Sequence, residues 1–273
     1  MTEELVRPLL SVTPLQAPLG ATVDGLSVEA LDGPDGSRLV AELVDAWSAH
    51  KVLFFPGIGL SPAQQVRLAR VFGPRIAATT EAGADYRGAP TLADEGFPEL
   101  LLLDTGLGHR PRSTNFWHTD VTFTPSPPIG SLFVMEIPAS SGGDTMWSDQ
   151  ALAYEGLSEP VRELIGGLSA VHGTPPLTGT SIHPMVQHHP VTGKPHLFVN
   201  RGWTKSVTGL HAQESKHLLE MLFERAERPE LQVRWHWSAG DAALWDNRCT
   251  MHYAVDDYGT ERRRARRATI YAD

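Results

Sequence analysis

WHTDVTF, Trp117 to Phe123, sets a histidine and an aspartate two residues apart inside a run of strand-forming residues. On a strand, residues i and i+2 project from one face. His118 and Asp120 are therefore expected to point together, with Thr119 and Val121 on the opposite side. Two polar, metal-competent side chains on one strand face are either a surface accident or two-thirds of a metal site. The flanking chain has to decide between them.

Working outward, short β-rich segments dominate from about residue 100. LLLLD, IGSLFVMEI, DTMWSD, HLFVN, VRWHW, DAALWD, TMHYAV and RRATIYA are brief and rich in β-branched or aromatic residues. Two helical stretches interrupt them, SDQALAYEGL with SEPVRELIGGL, and HAQESKHLLEMLFERA. The first third mixes types. LLSVTPL and ATVDGLSV read as strands around a glycine turn. SRLVAELVDAWSAH places Leu39, Val40, Leu43, Val44 and Trp47 at a helical period. KVLFFPG is a buried strand stopped by Pro-Gly. SPAQQVRLARVFG opens with Ser61 as N-cap and Pro62 at the first helical position. Many short strands with a few helices predict a mainly β fold, a barrel or sandwich carrying helical decoration.

The bulk properties narrow the class. At 273 residues the chain can bury an ample core, and neither repeats nor linkers divide it, so a single domain over 1–273 is expected. A net charge of −9 argues against nucleic acid as partner. The single cysteine, Cys249, excludes an internal disulfide and fits a reducing compartment. MTEELVRPLL lacks the pattern of a signal peptide, and no segment approaches the roughly 20 apolar residues of a membrane helix. The expectation is a cytoplasmic protein with no membrane partner.

The His118–Asp120 pair needs a third ligand. Twelve histidines are available and spacing alone does not choose among them; His252, in the strand-like WDNRCTMHYAV, is one that a jelly-roll barrel would bring beside the pair. Two histidines and one carboxylate on one face form the triad of non-haem Fe(II) oxygenases. Downstream, ERRRARRATI read as a strand puts Arg263, Ala265, Arg267 and Thr269 on one face. Two arginines beside a metal are costly unless they meet anions. A dicarboxylate cosubstrate and an acidic substrate would supply them, since a guanidinium grips a carboxylate with two hydrogen bonds.

These residues resemble the taurine/α-ketoglutarate dioxygenase (TauD/TfdA) family of Fe(II)- and 2-oxoglutarate-dependent oxygenases. The likeness runs over nearly the whole chain. It is strongest in WHTDVTF, SSGGDTMWSD, HPVTGKPHLFVNRGWT, VRWHWSAGDAALWDNRCTMHYAVDDYG and RRATI. The resemblance implies a double-stranded β-helix (jelly roll, cupin-like barrel) flanked by helices. It implies His118, Asp120 and His252 as iron ligands, and Thr145 and Arg263 as the 2-oxoglutarate site. It implies Arg267 near the substrate's anionic group, with Trp203, Val121 and Thr114 in the substrate pocket. It further implies Fe(II), 2-oxoglutarate and O₂ as the reaction's requirements, no separate protein acid or base, and a homo-oligomer, dimer or tetramer.

The chain also departs from the taurine enzyme. After FG, where that enzyme supplies a pocket histidine and tyrosine, FGPRIAATTEAG puts Ala78 and Glu81 near those positions. Ser113–Thr114 stand near a pocket asparagine of the taurine enzyme. Only GTPPLTGTSI, Gly173 to Ile182, spans the segment where the family often has a long lid. A short lid implies a more open pocket. The expected substrate is therefore an anionic organic molecule other than taurine: an alkyl sulfate, a sulfonate or a carboxylate.

Plainer readings apply elsewhere. Arg262, Arg264 and Arg266 read as a solvated strand face. His183, His188, His189 and His196, set among prolines and a Thr-Gly turn, read as strand–turn–strand with exposed rings. Trp235 and Trp237 read as packing, Trp245, Asp246 and Asn247 as bracing near the metal, and Cys249 as inert. Two other functions compete. A Zn(II) hydrolase on the same scaffold would leave Thr145 and Arg263 without a role. A non-catalytic anion-binding barrel would not need three intact metal ligands.

Overall fold

The computed structural model describes residues 8–77, 90–107, 115–175 and 178–272. The fold is a jelly roll. Its larger sheet runs Ser11–Pro14, Ala21–Asp24, Val52–Phe55, Ala242–Asp246, Gly130–Ile137, Arg264–Tyr271, Phe97–Asp104 and Thr91–Leu92, with Arg75–Ala77 paired to Arg264–Tyr271. Facing it is a three-stranded sheet of Gln232–Trp235, Thr145–Asp149 and Thr250–Ala254. Smaller sheets join Ser181–Pro184, Ser169–His172 and Thr204–Val207, and pair Val186–His188 with Pro195–Leu197.

Side-chain alternation divides the core. In Gly130–Ile137, Leu132 and Val134 enter one apolar cluster while Phe133 and Met135 enter another. The first cluster lies under the helices Gly36–His50 and Pro62–Ala69 and includes Leu43, Trp47, Val66 and Leu68. The second fills the barrel with Phe54, Trp147, Trp237 and Trp245. Pro62–Ala69 starts as its sequence dictates: Ser61 accepts from Gln64 N, the Gln64 side chain answers, and Pro62 occupies the first turn. A third cluster packs the helices Gln150–Glu155, Glu159–Gly166 and Ala212–Ala226 against the small sheets.

Register explains the arginine run. Arg267 lies opposite Phe133 and Ala265 opposite Met135, so both face the barrel interior. Arg266 lies opposite Val134, on the face covered by helix Pro62–Ala69. The expectation of a solvated Arg266 is thus overturned. Its side chain is 3% exposed, donates to Leu60 O and pairs with Glu136. Arg264 also pairs with Glu136, and half-exposed Arg262 grips Asp104.

The histidine cluster also differs from expectation. His188 alone is exposed, whereas His183, His189 and His196 are buried. The predicted turn exists, but the hairpin folds over a buried acid: His189 Nε2 lies 2.8 Å from Asp246 Oδ2. Arg248 holds the same carboxylate through both oxygens. Cys249 is buried beside this corner, and its thiol is pushed well up, by burial first and then by Asp246, so it stays protonated.

Candidate metal centre

WHTDVTF does not form the predicted strand. His118 makes an isolated antiparallel bridge to His252, and the chain then turns. The bridge is reciprocal: His118 N donates to His252 O at 3.0 Å, and His252 N to His118 O at 2.7 Å. Val121 takes a φ of 58°, left-handed backbone that a β-branched residue rarely adopts. The two-residue spacing still brings the side chains together, because the bridge fixes His118 and the turn fixes Asp120.

His118, Asp120 and His252 each offer a ligand atom, all within 4.8 Å of one another and all buried. His118 Nε2 lies 3.9 Å from Asp120 Oδ1, and His252 Nε2 lies 3.8 Å from Oδ2. Two donors each about 2.1 Å from a shared ion can be at most about 4.2 Å apart, so the set fits one cation. The His118 tautomer is settled by a neighbour: Nδ1 lies 2.8 Å from the Phe116 carbonyl and donates to it, leaving the Nε2 lone pair for a metal.

The electrostatics agree. Burial depresses both histidines, His252 to about 3, so both rings are neutral. Burial alone would raise the Asp120 carboxyl. The Arg267 charge, with the two histidines, outweighs it and brings the carboxyl to about 2. All three donors are deprotonated at neutral pH, the state a cation requires. Arg267 Nη1 reaches Asp120 Oδ1 at 3.1 Å and Oδ2 at 3.3 Å.

The Asp120 backbone is braced by Asn247. Asn247 Oδ1 accepts from Asp120 N at 2.8 Å, and Nδ2 donates to Asp120 O at 3.1 Å and to Pro128 O at 2.9 Å. Asn247→Ala strands two buried backbone groups of Asp120, each costing roughly 1–3 kcal/mol. The expected result is a protein destabilised by about 2–6 kcal/mol in urea unfolding. A loss under about 0.5 kcal/mol would count against the brace.

One cavity joins this triad to the cosubstrate candidates. It is lined by His118, His252, Thr145, Arg263 and Arg267, with apolar walls from Leu101, Leu103, Phe133, Trp147, Trp237, Trp245 and Ala254. His252 is registered with Trp147 and Ala254 with Thr145, so one strand pair presents ligand and hydroxyl to the same space. Gly143, at a φ of 70°, makes the tight turn into Thr145; a Cβ there would sit 3.5 Å from the Arg263 guanidinium. The Thr145 hydroxyl accepts from Trp237 Nε1 at 3.0 Å, which leaves its own proton to donate into the cavity.

Arg263 is the unusual group. Its Nε is buried without a hydrogen-bond partner, and among the described residues no carboxylate lies at ion-pair distance. Burial lowers its guanidinium to about 10, still charged at neutral pH. A buried cation of this kind calls for an anion, and the donor set and this guanidinium together fit a metal chelated by a dicarboxylate.

Trp203 packs its ring against Phe116 and Phe123, beside His118. Gly202 permits this, since a Cβ there would collide with the Phe116 ring. Val121 is buried outside the cavity lining. Thr114, Ser113, Ala78 and Glu81 lie outside the described residues. Trp237, read from sequence as packing, turns out to orient Thr145. Nothing in the type or spacing of Phe116 announces that its carbonyl sets a tautomer.

Comparison with known proteins agrees with this geometry. The family described as "Taurine catabolism dioxygenase TauD, TfdA family" matches residues 11–269. The chain belongs to that family. It is an Fe(II)/2-oxoglutarate-dependent dioxygenase. An α-ketoglutarate-dependent sulfate ester dioxygenase of Pseudomonas putida is 35% identical, covering 96% of this chain and 89% of that protein. An alkylsulfatase of Acinetobacter baylyi is 34% identical over 96% of this chain and 84% of its own length. A crystal structure of a taurine dioxygenase from Burkholderia xenovorans superposes with a TM-score of 0.84 at 35% identity, covering 97% of this chain and 90% of that one. Among the described residues, no helix is long and apolar enough to cross a membrane.

Proposed function

We propose that the enzyme hydroxylates a C–H bond of a small anionic organic molecule, with alkyl sulfate esters as the preferred class. The observation that carries this reading is one cavity holding two guanidinium groups in distinct settings. Among the described residues Arg263 is buried without a carboxylate partner, and Arg267 lies directly against Asp120. Arg263 suits the far carboxylate of 2-oxoglutarate, and Arg267, already paired with Asp120, lines the same cavity with further guanidinium N–H groups that suit the anionic head of the substrate.

In this reading His118, Asp120 and His252 hold Fe(II), which with chelated 2-oxoglutarate supplies the activation of O₂ when bound. The protein does the rest. Thr145 and Arg263 fix the distal carboxylate of 2-oxoglutarate, the hydroxyl by donating one hydrogen bond and the guanidinium by a charge-assisted pair. Arg267 places an anionic head beside the Asp120 carboxylate, so the carbon next to that head lies against the metal. The tryptophans and leucines of the wall keep water from the reacting carbon. 2-Oxoglutarate leaves as succinate and CO₂, one oxygen of O₂ goes to succinate and the other to substrate. When the hydroxylated carbon bears a sulfate ester, the product collapses to an aldehyde and hydrogen sulfate. No protein acid or base is needed.

The relatives support the sulfate ester class, since a sulfate ester dioxygenase and an alkylsulfatase each match nearly the full chain. A phenoxypropionate dioxygenase of Sphingobium herbicidovorans, 30% identical over 94% of this chain and 93% of its own length, keeps carboxylates as the second class.

The test is a panel of alkyl sulfates, alkyl sulfonates, aryloxy carboxylates and taurine, scored by succinate formed and by sulfate or aldehyde released. An alkyl sulfate is expected to exceed taurine in kcat/KM by at least about tenfold, the discrimination an apolar pocket gives a longer chain. Taurine turned over as fast as the best alkyl sulfate would defeat the substrate assignment. Absence, under anaerobic Fe(II) and 2-oxoglutarate, of the weak visible band of the chelate would defeat the cofactor assignment.

A further inference from the structure

The turn that carries Asp120 is held in an unfavourable conformation from outside. Val121, the next residue, sits in the left-handed region at a φ of 58°. Valine adopts that backbone only where surroundings impose it. The three carbonyls that follow are all engaged by one strand, Ser181–Pro184. Ser181 Oγ donates to Phe123 O at 3.0 Å. His183 Nε2 lies 2.8 Å from Thr122 O and 3.0 Å from Thr124 O. Both partners are acceptors, so Nε2 carries the proton and divides it between them. The Thr122 hydroxyl is engaged as well, by His172 Nδ1 at 2.9 Å and Asn200 Nδ2 at 3.3 Å. His172 is registered with Ser181 in the adjoining strand.

Asp120 therefore sits between two fixtures. Asn247 holds its own N–H and C=O. Beyond the bend, His183 holds the residues on either side of Phe123. Neither contact touches the carboxylate, which Arg267 holds directly; together they fix the backbone from which it projects.

We propose that His183 is a positioning residue for the metal ligand Asp120: its divided hydrogen bond keeps Val121 left-handed and so sets the carboxylate in place. The proposal rests on the reading of His118, Asp120 and His252 as ligands. Without the clamp, Val121 returns to negative φ and the carboxylate moves away from the two histidines. Groups that orient a ligand in this way are worth about 10- to 100-fold in metal affinity.

The experiment is a Co(II) titration of the apoenzyme followed by its visible bands, alongside circular dichroism and thermal melting. His183→Leu keeps the ring's bulk but removes the donor, and is expected to weaken Co(II) at least about tenfold. His183→Gln retains an N–H donor and is expected to recover most of that loss. Adding Val121→Gly to His183→Leu removes the need to force φ, and should recover affinity without recovering the melting temperature. A purely structural histidine predicts the reverse, a lower melting temperature with unchanged affinity. Wild-type Co(II) affinity in a folded His183→Leu, or equal weakening with and without Val121→Gly, overturns the proposal. His118→Ala, titrated in parallel, separates the levels: if it binds Co(II) as the wild type does, the ligand assignment itself fails.

Discussion

His118→Ala is expected to abolish succinate formation under air with added Fe(II), to below about 1% of wild type. Removing the ring leaves two of the three proposed protein donors, and both survivors change. His252 loses the neighbouring ring whose centroid lies 4.1 Å away. Asp120 loses one of the two histidines that, after Arg267, favour its carboxylate form. The Phe116 carbonyl, which accepts from His118 Nδ1, is left without that donor. The backbone bridge to His252 is made by main-chain atoms and stays intact. The variant should therefore fold with only a modest loss of stability while losing the metal. Succinate formation above about a tenth of wild type by this folded variant would remove His118 from the ligand set. A protein that retains tight Fe(II) binding but loses turnover would point to a role in geometry rather than in ligation.

Much of this centre could be read from the chain, and the rest shows where reading stops. His118, Thr145, His252, Arg263 and Arg267 line one cavity with Asp120 beside it, although they span nearly 150 positions, and register on three strands is what brings Thr145, His252 and Arg267 together. Spacing survives even where the local conformation was misread: WHTDVTF is a bridge and a turn, not a strand, yet His118 and Asp120 still converge. Two kinds of information were not legible. One is burial of charge. Arg266 looks like its neighbours in sequence, and only the helix over its face decides that it is buried with Glu136. The other is main-chain recognition. His183 was read as an exposed ring in a turn, yet it donates to two carbonyls some 60 residues away. Carbonyl partners have no residue type, so sequence carries no mark of them.

Arg263→Leu is expected to separate two quantities that usually fall together. The first is cosubstrate binding. If the buried guanidinium pairs with the distal carboxylate of 2-oxoglutarate, removing it leaves that carboxylate in an apolar pocket with one hydroxyl partner, Thr145. Truncating one member of a buried charge pair costs about 2–5 kcal/mol, so KM for 2-oxoglutarate should rise by roughly 30-fold or more. The second is stability of the apoprotein, and here the sign is opposite. Arg263 is 8% exposed, its Nε has no partner, and burial already lowers its guanidinium to about 10. A cation held there without an anion costs stability, and an apolar side chain of similar reach removes that cost. The cation–π contact with Phe133, at 5.5 Å from the ring centroid, returns only about 0.5–1 kcal/mol. The backbone N–H of Arg263, which donates to Thr105 Oγ1 at 2.8 Å, is untouched. The apo variant should therefore melt at or above the wild-type temperature, while 2-oxoglutarate with Mn(II) should raise the melting temperature of the wild-type protein and that of the variant far less. A guanidinium present for structure gives the opposite pattern, a lower apo melting temperature and an unchanged 2-oxoglutarate requirement, and that pair of results would refute the assignment.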